Sequence, residues 1–83
     1  MDKLALLAGL DKIHTTDLGV VRVRRNLGLD ATVDVVAHCK DVIKDADTTV
    51  MRKGKNFYAT SRTAIITVNA SKWSIITAHR VKK

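Results

Sequence analysis

The chain has 83 residues, 46% of them hydrophobic and 28% charged, with no proline, one cysteine, and one each of Phe, Trp and Tyr. That fits a single small domain, residues 1–83, with a core of Leu, Ile, Val and Ala, and excludes a disordered chain, a disulfide-stapled scaffold and a large cofactor enzyme. Fifteen Lys and Arg against eight Asp and Glu give a net charge of +7 with neutral His, which favours a polyanionic partner, nucleic acid before an acidic protein or a membrane surface.

Residues 1–47 follow a helical period. Leu4, Leu7 and Ala8 predict a short helix over residues 1–10, stopped at Gly9. Asp2 before this apolar run and Asp11-Lys12 after it do not make a secretory signal, and no stretch approaches the ~20 apolar residues of a membrane span. With a lone Cys39, the expectation is a cytoplasmic protein away from the membrane. Thr15 or Thr16 is the N-cap of a second helix, residues 17–27, with Val20, Val23 and Leu27 as its apolar stripe and Asn26 and Gly28 at its end. A third helix starts at Asp30 or Thr32. Val35, Cys39, Val42 and Ala46 share one of its faces, joined by Val36 and Ile43.

After Asp47 the pattern alternates. Strands are predicted at residues 48–52, 55–60, 63–69 and 72–81, with turns at Lys53-Gly54, Ser61-Arg62 and Ala70-Ser71. Short links between successive strands imply antiparallel pairing. The fold class is therefore α+β, with N-terminal helices packed on one face of a four-stranded antiparallel β-meander. On the third strand, Ala64, Ile66 and Val68 form the helix-facing side. Thr67 and Asn69 then face away. On the last strand Ser74, Ile76, Ala78 and Arg80 alternate with Trp73, Ile75, Thr77, His79 and Val81. If Thr77 and His79 lie opposite Thr67 and Asn69, a polar cluster forms on the open face beside Tyr58. A slip of one residue would invert it.

A basic surface with exposed aromatics suits unpaired nucleotides. The candidate contacts are Lys53, Lys55, Tyr58, Trp73, Arg80 and Lys82, with RNA the favoured partner. RNA cleavage without a metal needs a proton acceptor, a proton donor and a cation near the phosphorane. His79 is the first choice for proton transfer, with Thr77 positioning a phosphate oxygen, Lys55 supplying charge and His14 as second proton carrier. His38 reads as structural or solvated, and Cys39 as core. The histidines and Cys39 lack zinc-ligand spacing, so no metal or other cofactor is expected.

Ile13-His14-Thr15-Thr16 with Gly19, then Lys53-Gly54-Lys55-Asn56-Phe57-Tyr58, then Ile75-Ile76-Thr77-Ala78-His79-Arg80 resemble a small bacterial family of uncharacterised proteins. More distantly, helices leading into a four-stranded antiparallel sheet that ends in Thr77-Ala78-His79 look like the barnase/EndoU/colicin/RelE-type ribonuclease superfamily. That resemblance implies a toxin-like, metal-independent endoribonuclease acting on the open sheet face, with an acidic antitoxin as partner. The alternative is a non-catalytic nucleic-acid-binding or inhibitor protein of a mobile element, directed at a ribonucleoprotein in the manner of an anti-CRISPR protein. A third reading is an interaction domain with no nucleic-acid partner.

Overall fold

Helices precede strands in the computed structural model, which describes residues 2–81. The order is α1 (Asp2–Ala8), a 3-10 turn (Leu10–Lys12), α2 (Asp17–Leu27), α3 (Val35–Lys44), β1 (Thr49–Lys53), β2 (Asn56–Thr60), β3 (Ala64–Asn69) and β4 (Ile75–Arg80). The sheet runs β1-β2-β3-β4 and each neighbouring pair is antiparallel. The predicted α+β meander with its helices on one side is what the chain adopts.

Local chemistry sets the ends of the helices. Thr16 caps α2, its hydroxyl accepting from Gly19 N at 3.0 Å, and Gly28 closes it in the left-handed region at φ 65°. α3 begins at Val35, later than expected. Asp30 Oδ1 accepts from Thr32 N and Thr32 Oγ1, which ties residues 30–33 into a separate turn and leaves Asp34 as the cap. α3 also ends at Lys44, so Ala46 is exposed and not part of its apolar stripe. In α1 the core residue is Leu6, whereas Leu4 is 65% exposed. The helix is rotated because Lys3 reaches across to donate to Asp45 O at 2.7 Å and Thr48 O at 2.6 Å, just beyond the C-terminus of α3.

The core lies between the helices and one sheet face. Leu6, Val23, Leu27, Val35, Cys39 and Ile43 meet Phe57, Ala59, Ala64, Ile66, Val68, Ile75 and Ala78. Burial removes the Cys39 thiolate from water and pushes its pKa up to about 12. Two arginines at the edge of this layer, one half-buried and one exposed, hold backbone carbonyls. Arg24 Nη2 donates to Val33 O at 2.9 Å, and Arg80 donates through Nε and Nη2 to Leu27 O at 3.2 and 3.0 Å.

β4 departs from simple alternation. It starts at Ile75 and not at Lys72, because Trp73 has a left-handed backbone (φ 56°) that ends the β3–β4 turn. The register then shifts: Thr67 pairs with Thr77 but Val68 with Ile75, leaving Ile76 as the extra residue of a bulge. Ile75 therefore points into the core with Ala78, contrary to the expected grouping of Ile75 with Thr77.

Candidate nucleic-acid interface

The side chains that alternate with the core residues line a sheet face that no helix covers. Pairing aligns them in rows across the strands. Met51, Tyr58, Thr67 and Thr77 form one row, and Thr49, Thr60, Ile65 and His79 the next. Lys53, Asn56 and Asn69 form a third. A shallow depression of about 470 Å³ lies between Thr49, Met51, Lys53, Tyr58, Thr60 and Ile65.

Thr67 sits at the centre of this face and is buried by its neighbours, while His79 at the end of β4 is exposed. Asn56 Nδ2 lies 3.5 Å from the Tyr58 hydroxyl, and Asn56 Oδ1 is enclosed without a hydrogen-bond partner among the described residues. Tyr58 is half-buried, with Met51 and Thr67 as its cross-strand neighbours. The face therefore offers one aromatic surface, a line of hydroxyls and an imidazole.

Cations stand at one end of these rows. Gly54 takes φ 57° at the first of the two residues joining β1 to β2, where a tight hairpin requires a positive φ. This displays Lys53 and Lys55 on either side of the tip, both exposed and unpaired among the described residues. The β3–β4 turn lies at the same end, tied on by the hydrogen bond from Ala70 N to Lys55 O at 2.8 Å, and adds exposed Lys72. Its turn is built by Asn69, whose Oδ1 accepts from Ser71 N and Lys72 N.

The structure gathers only part of the expected residue set. Thr77 and His79 do share the open face, as alternation requires. Thr77 lies opposite Thr67 as expected, but His79 lies opposite Ile65 and not Asn69. His14 is elsewhere. It makes a parallel bridge to Ser74, with His14 N donating to Trp73 O at 3.1 Å and Ile75 N to His14 O at 2.8 Å. This fixes it at the start of β4, while His79 is near its end, a separation of roughly 15 Å at the rise of an extended strand. The His14 ring also bonds the Lys12 carbonyl through Nδ1 at 3.1 Å. Lys55 belongs to the His14 end and not to the His79 end.

Two of the expected nucleic-acid contacts are committed to the covered side. Trp73 is half-buried, stacks on Phe57 at 6.0 Å, carries Lys12 Nζ 5.9 Å from its ring, and presses on Gly9 so closely that a Cβ there would collide with it. Its indole is a clamp between the 3-10 turn and the sheet. Arg80 points to the same side to hold Leu27 O. Lys82 lies outside the described residues. Missing from the expectation were Thr49, Met51 and Thr60, which the alternation rule would have placed had it been extended to the first two strands.

Among the described residues no three His, Cys, Asp or Glu side chains come together as a metal site, and no helix is long and apolar enough to cross a membrane. Residues 7–79 match the model of a family described as a protein of unknown function, DUF3781. No curated protein and no solved structure matches the chain. The likeness to ribonucleases thus rests on element order and Thr77-Ala78-His79 alone.

Proposed function

The chain belongs to the DUF3781 family of proteins of unknown function, and we propose that it is a small RNA-binding protein that lays an unpaired strand across the open face of its sheet. The observation that carries this reading is the in-register row Met51–Tyr58–Thr67–Thr77 on an uncovered face, with His79 in the adjacent row and Lys53 and Lys55 at the hairpin end. Tyr58 offers a stacking surface, worth ~1–3 kcal/mol per base. The hydroxyls and His79 offer donors and acceptors to base edges or sugars. The net charge of +7 supplies the attraction to phosphates.

Fluorescence anisotropy with a labelled single-stranded RNA in EDTA tests the reading. Affinity should fall steeply as salt rises, because bound phosphates release counterions. Tyr58→Ala should weaken binding by roughly 5–100-fold, the equivalent of one lost stack. No binding at low salt, or binding indifferent to Tyr58, overturns it.

One observation favours a second reading, cleavage of the bound strand: Thr77 and His79 project from the same face. In that reading His79 moves the proton and Thr77 holds a phosphate oxygen. His14 and Lys55, at the other end of the sheet, do not complete the set. Total RNA incubated with the protein in EDTA decides it. Cleavage that His79→Ala lowers by ~10²–10⁴-fold establishes the reading, and intact RNA removes it.

A further inference from the structure

On the opposite side of the sheet from the RNA face, a cleft of about 740 Å³ opens between the C-terminal end of α2, the side of α3, the β2–β3 turn and the end of β4. His38, Arg62, Arg80 and Thr63 are its polar residues, and among the described residues no carboxylate lines it. Leu27, Leu29 and Val81 supply apolar surface. We propose that this cleft binds a phosphate monoester carried on an apolar or heteroaromatic body, the chemistry shared by a free nucleotide and the phosphorylated end of an RNA strand.

Three features support that ligand class. Arg80 is held in place before any ligand arrives. Its Nε and Nη2 donate to Leu27 O, and a Cβ on Gly28 would collide with the guanidinium, so the chain turns there on a residue with no side chain. A guanidinium has five N–H donors. The Leu27 carbonyl leaves several of them free, and a fixed fork loses little entropy when it meets a phosphate. Arg62 is the adjustable partner. Its contact with Asp47 is 3.5 Å long between side chains 78% and 61% exposed, a pair weak enough to exchange for a dianion. His38 and Thr63 add a ring nitrogen and a hydroxyl that can hydrogen-bond remaining oxygens, and no His38 side-chain hydrogen bond competes among the described residues.

The apolar surface makes a free inorganic ion the poorer match. Ligand pockets of this size are mainly apolar with a few convergent polar groups. Here the cations lie together and the aliphatic residues beside them can cover a base. The site is separate from the open face: Arg80 and His79 are consecutive, yet strand alternation sends them to opposite sides. The proposal therefore stands whether or not RNA crosses the sheet.

The test is calorimetric titration of the full chain with adenosine monophosphate, adenosine, inorganic phosphate, and one short RNA bearing either a 5′-phosphate or a 5′-hydroxyl. Adenosine monophosphate should bind at least ~10-fold more tightly than adenosine or inorganic phosphate, as expected when a charge-assisted contact adds to apolar cover. Arg62→Ala and His38→Gln should each weaken it by ~3-fold or more with the melting temperature unchanged, since both side chains lie outside the core. Tyr58→Ala should leave it unchanged. If the 5′-phosphate also strengthens RNA binding, and Arg62→Ala abolishes that gain, the occupant is an RNA end; if it adds nothing, the occupant is a free nucleotide. Equal binding of the nucleotide and adenosine, no binding of either at millimolar concentration, or wild-type nucleotide binding in both variants overturns the proposal. Failure of the RNA-face reading would show separately, as absent binding of the 5′-hydroxyl RNA with the nucleotide titration intact.

Discussion

The two faces of the sheet are made by the same strands, and they differ in almost everything else. On the covered face Phe57, Ala59, Ile66, Val68 and Ala78 are at most 4% exposed and mesh with Leu6, Val23, Cys39 and Ile43. On the open face the same strands present Met51, Tyr58, Thr67, Thr77 and His79, with hydroxyls in two of the three rows. Period-two alternation allows this division: one side can be optimised for packing while the other varies with little effect on stability. Stability should therefore depend on the covered face and RNA binding on the open one.

The largest expected effect comes from emptying the covered face. Ile66 is completely buried in the central strand pair, so Ile66→Ala should cost about 2–5 kcal/mol in urea unfolding, with a cavity that rigid neighbours fill only in part. Next comes pH. The folded state holds the Cys39 proton up to about pH 12, whereas an unfolded thiol releases it near its ordinary value of 9.0. Between those values the unfolded state binds fewer protons, so stability is fully present below pH 9 and is lost as pH rises toward 12. The loss should reach about 2 kcal/mol by pH 10.5. Unfolding of Cys39→Ala across the same pH range should lack that component of the slope; an unchanged slope would show that the thiol is not held out of water.

A smaller effect tests where Trp73 belongs. Gly9→Ala places a methyl group against the indole and should destabilise by about 1–3 kcal/mol, through overpacking. RNA affinity of the folded variant should stay at the wild-type level. If Gly9→Ala instead weakens RNA binding without altering the melting temperature, Trp73 belongs to the binding surface and the division between the faces breaks down.

Much of this division could be read from the sequence. The β-branched run of residues 63–69 announced the face of Ala64, Ile66 and Val68, and Thr15 or Thr16 with Gly28 bracketed α2. The failures came from interactions that residue patterns do not encode. The orientation of α1 depends on Lys3 reaching carbonyls more than forty positions away. The bulge at Ile76 depends on pairing geometry, and it alone lets both Ile75 and Ala78 point inward. Trp73 looked like a free aromatic because nothing in its neighbourhood reveals Gly9 as its seat. Thr77 and His79 were placed on one face by alternation, since both follow the bulge, but their distance from His14 is a matter of tertiary placement. Alternation put Arg80 on the face opposite His79, but a sequence does not show which carbonyl its guanidinium will hold.

The smallest predicted change in stability is the sharpest test, because two buried threonines make a matched pair. Thr48 is 2% exposed and Thr67 is 5% exposed. The Thr48 hydroxyl donates to Val42 O at 2.6 Å and so joins α3 to the start of the sheet. The Thr67 hydroxyl, on the open face, makes no hydrogen bond among the described residues. Valine matches threonine in shape and removes only the hydroxyl. Thr48→Val removes this bond, leaving Val42 O with only the 3.3 Å bond from Asp45 N among the described residues, and should cost about 0.5–1.5 kcal/mol. Thr67→Val strands nothing and should change stability by less than about 0.5 kcal/mol in either direction. RNA affinity should respond in the opposite sense: unchanged in folded Thr48→Val, and weakened roughly fivefold in Thr67→Val, as one lost hydrogen bond predicts. A Thr67→Val protein that unfolds early and binds RNA as wild type would assign that hydroxyl to the fold and leave the open face without its central contact.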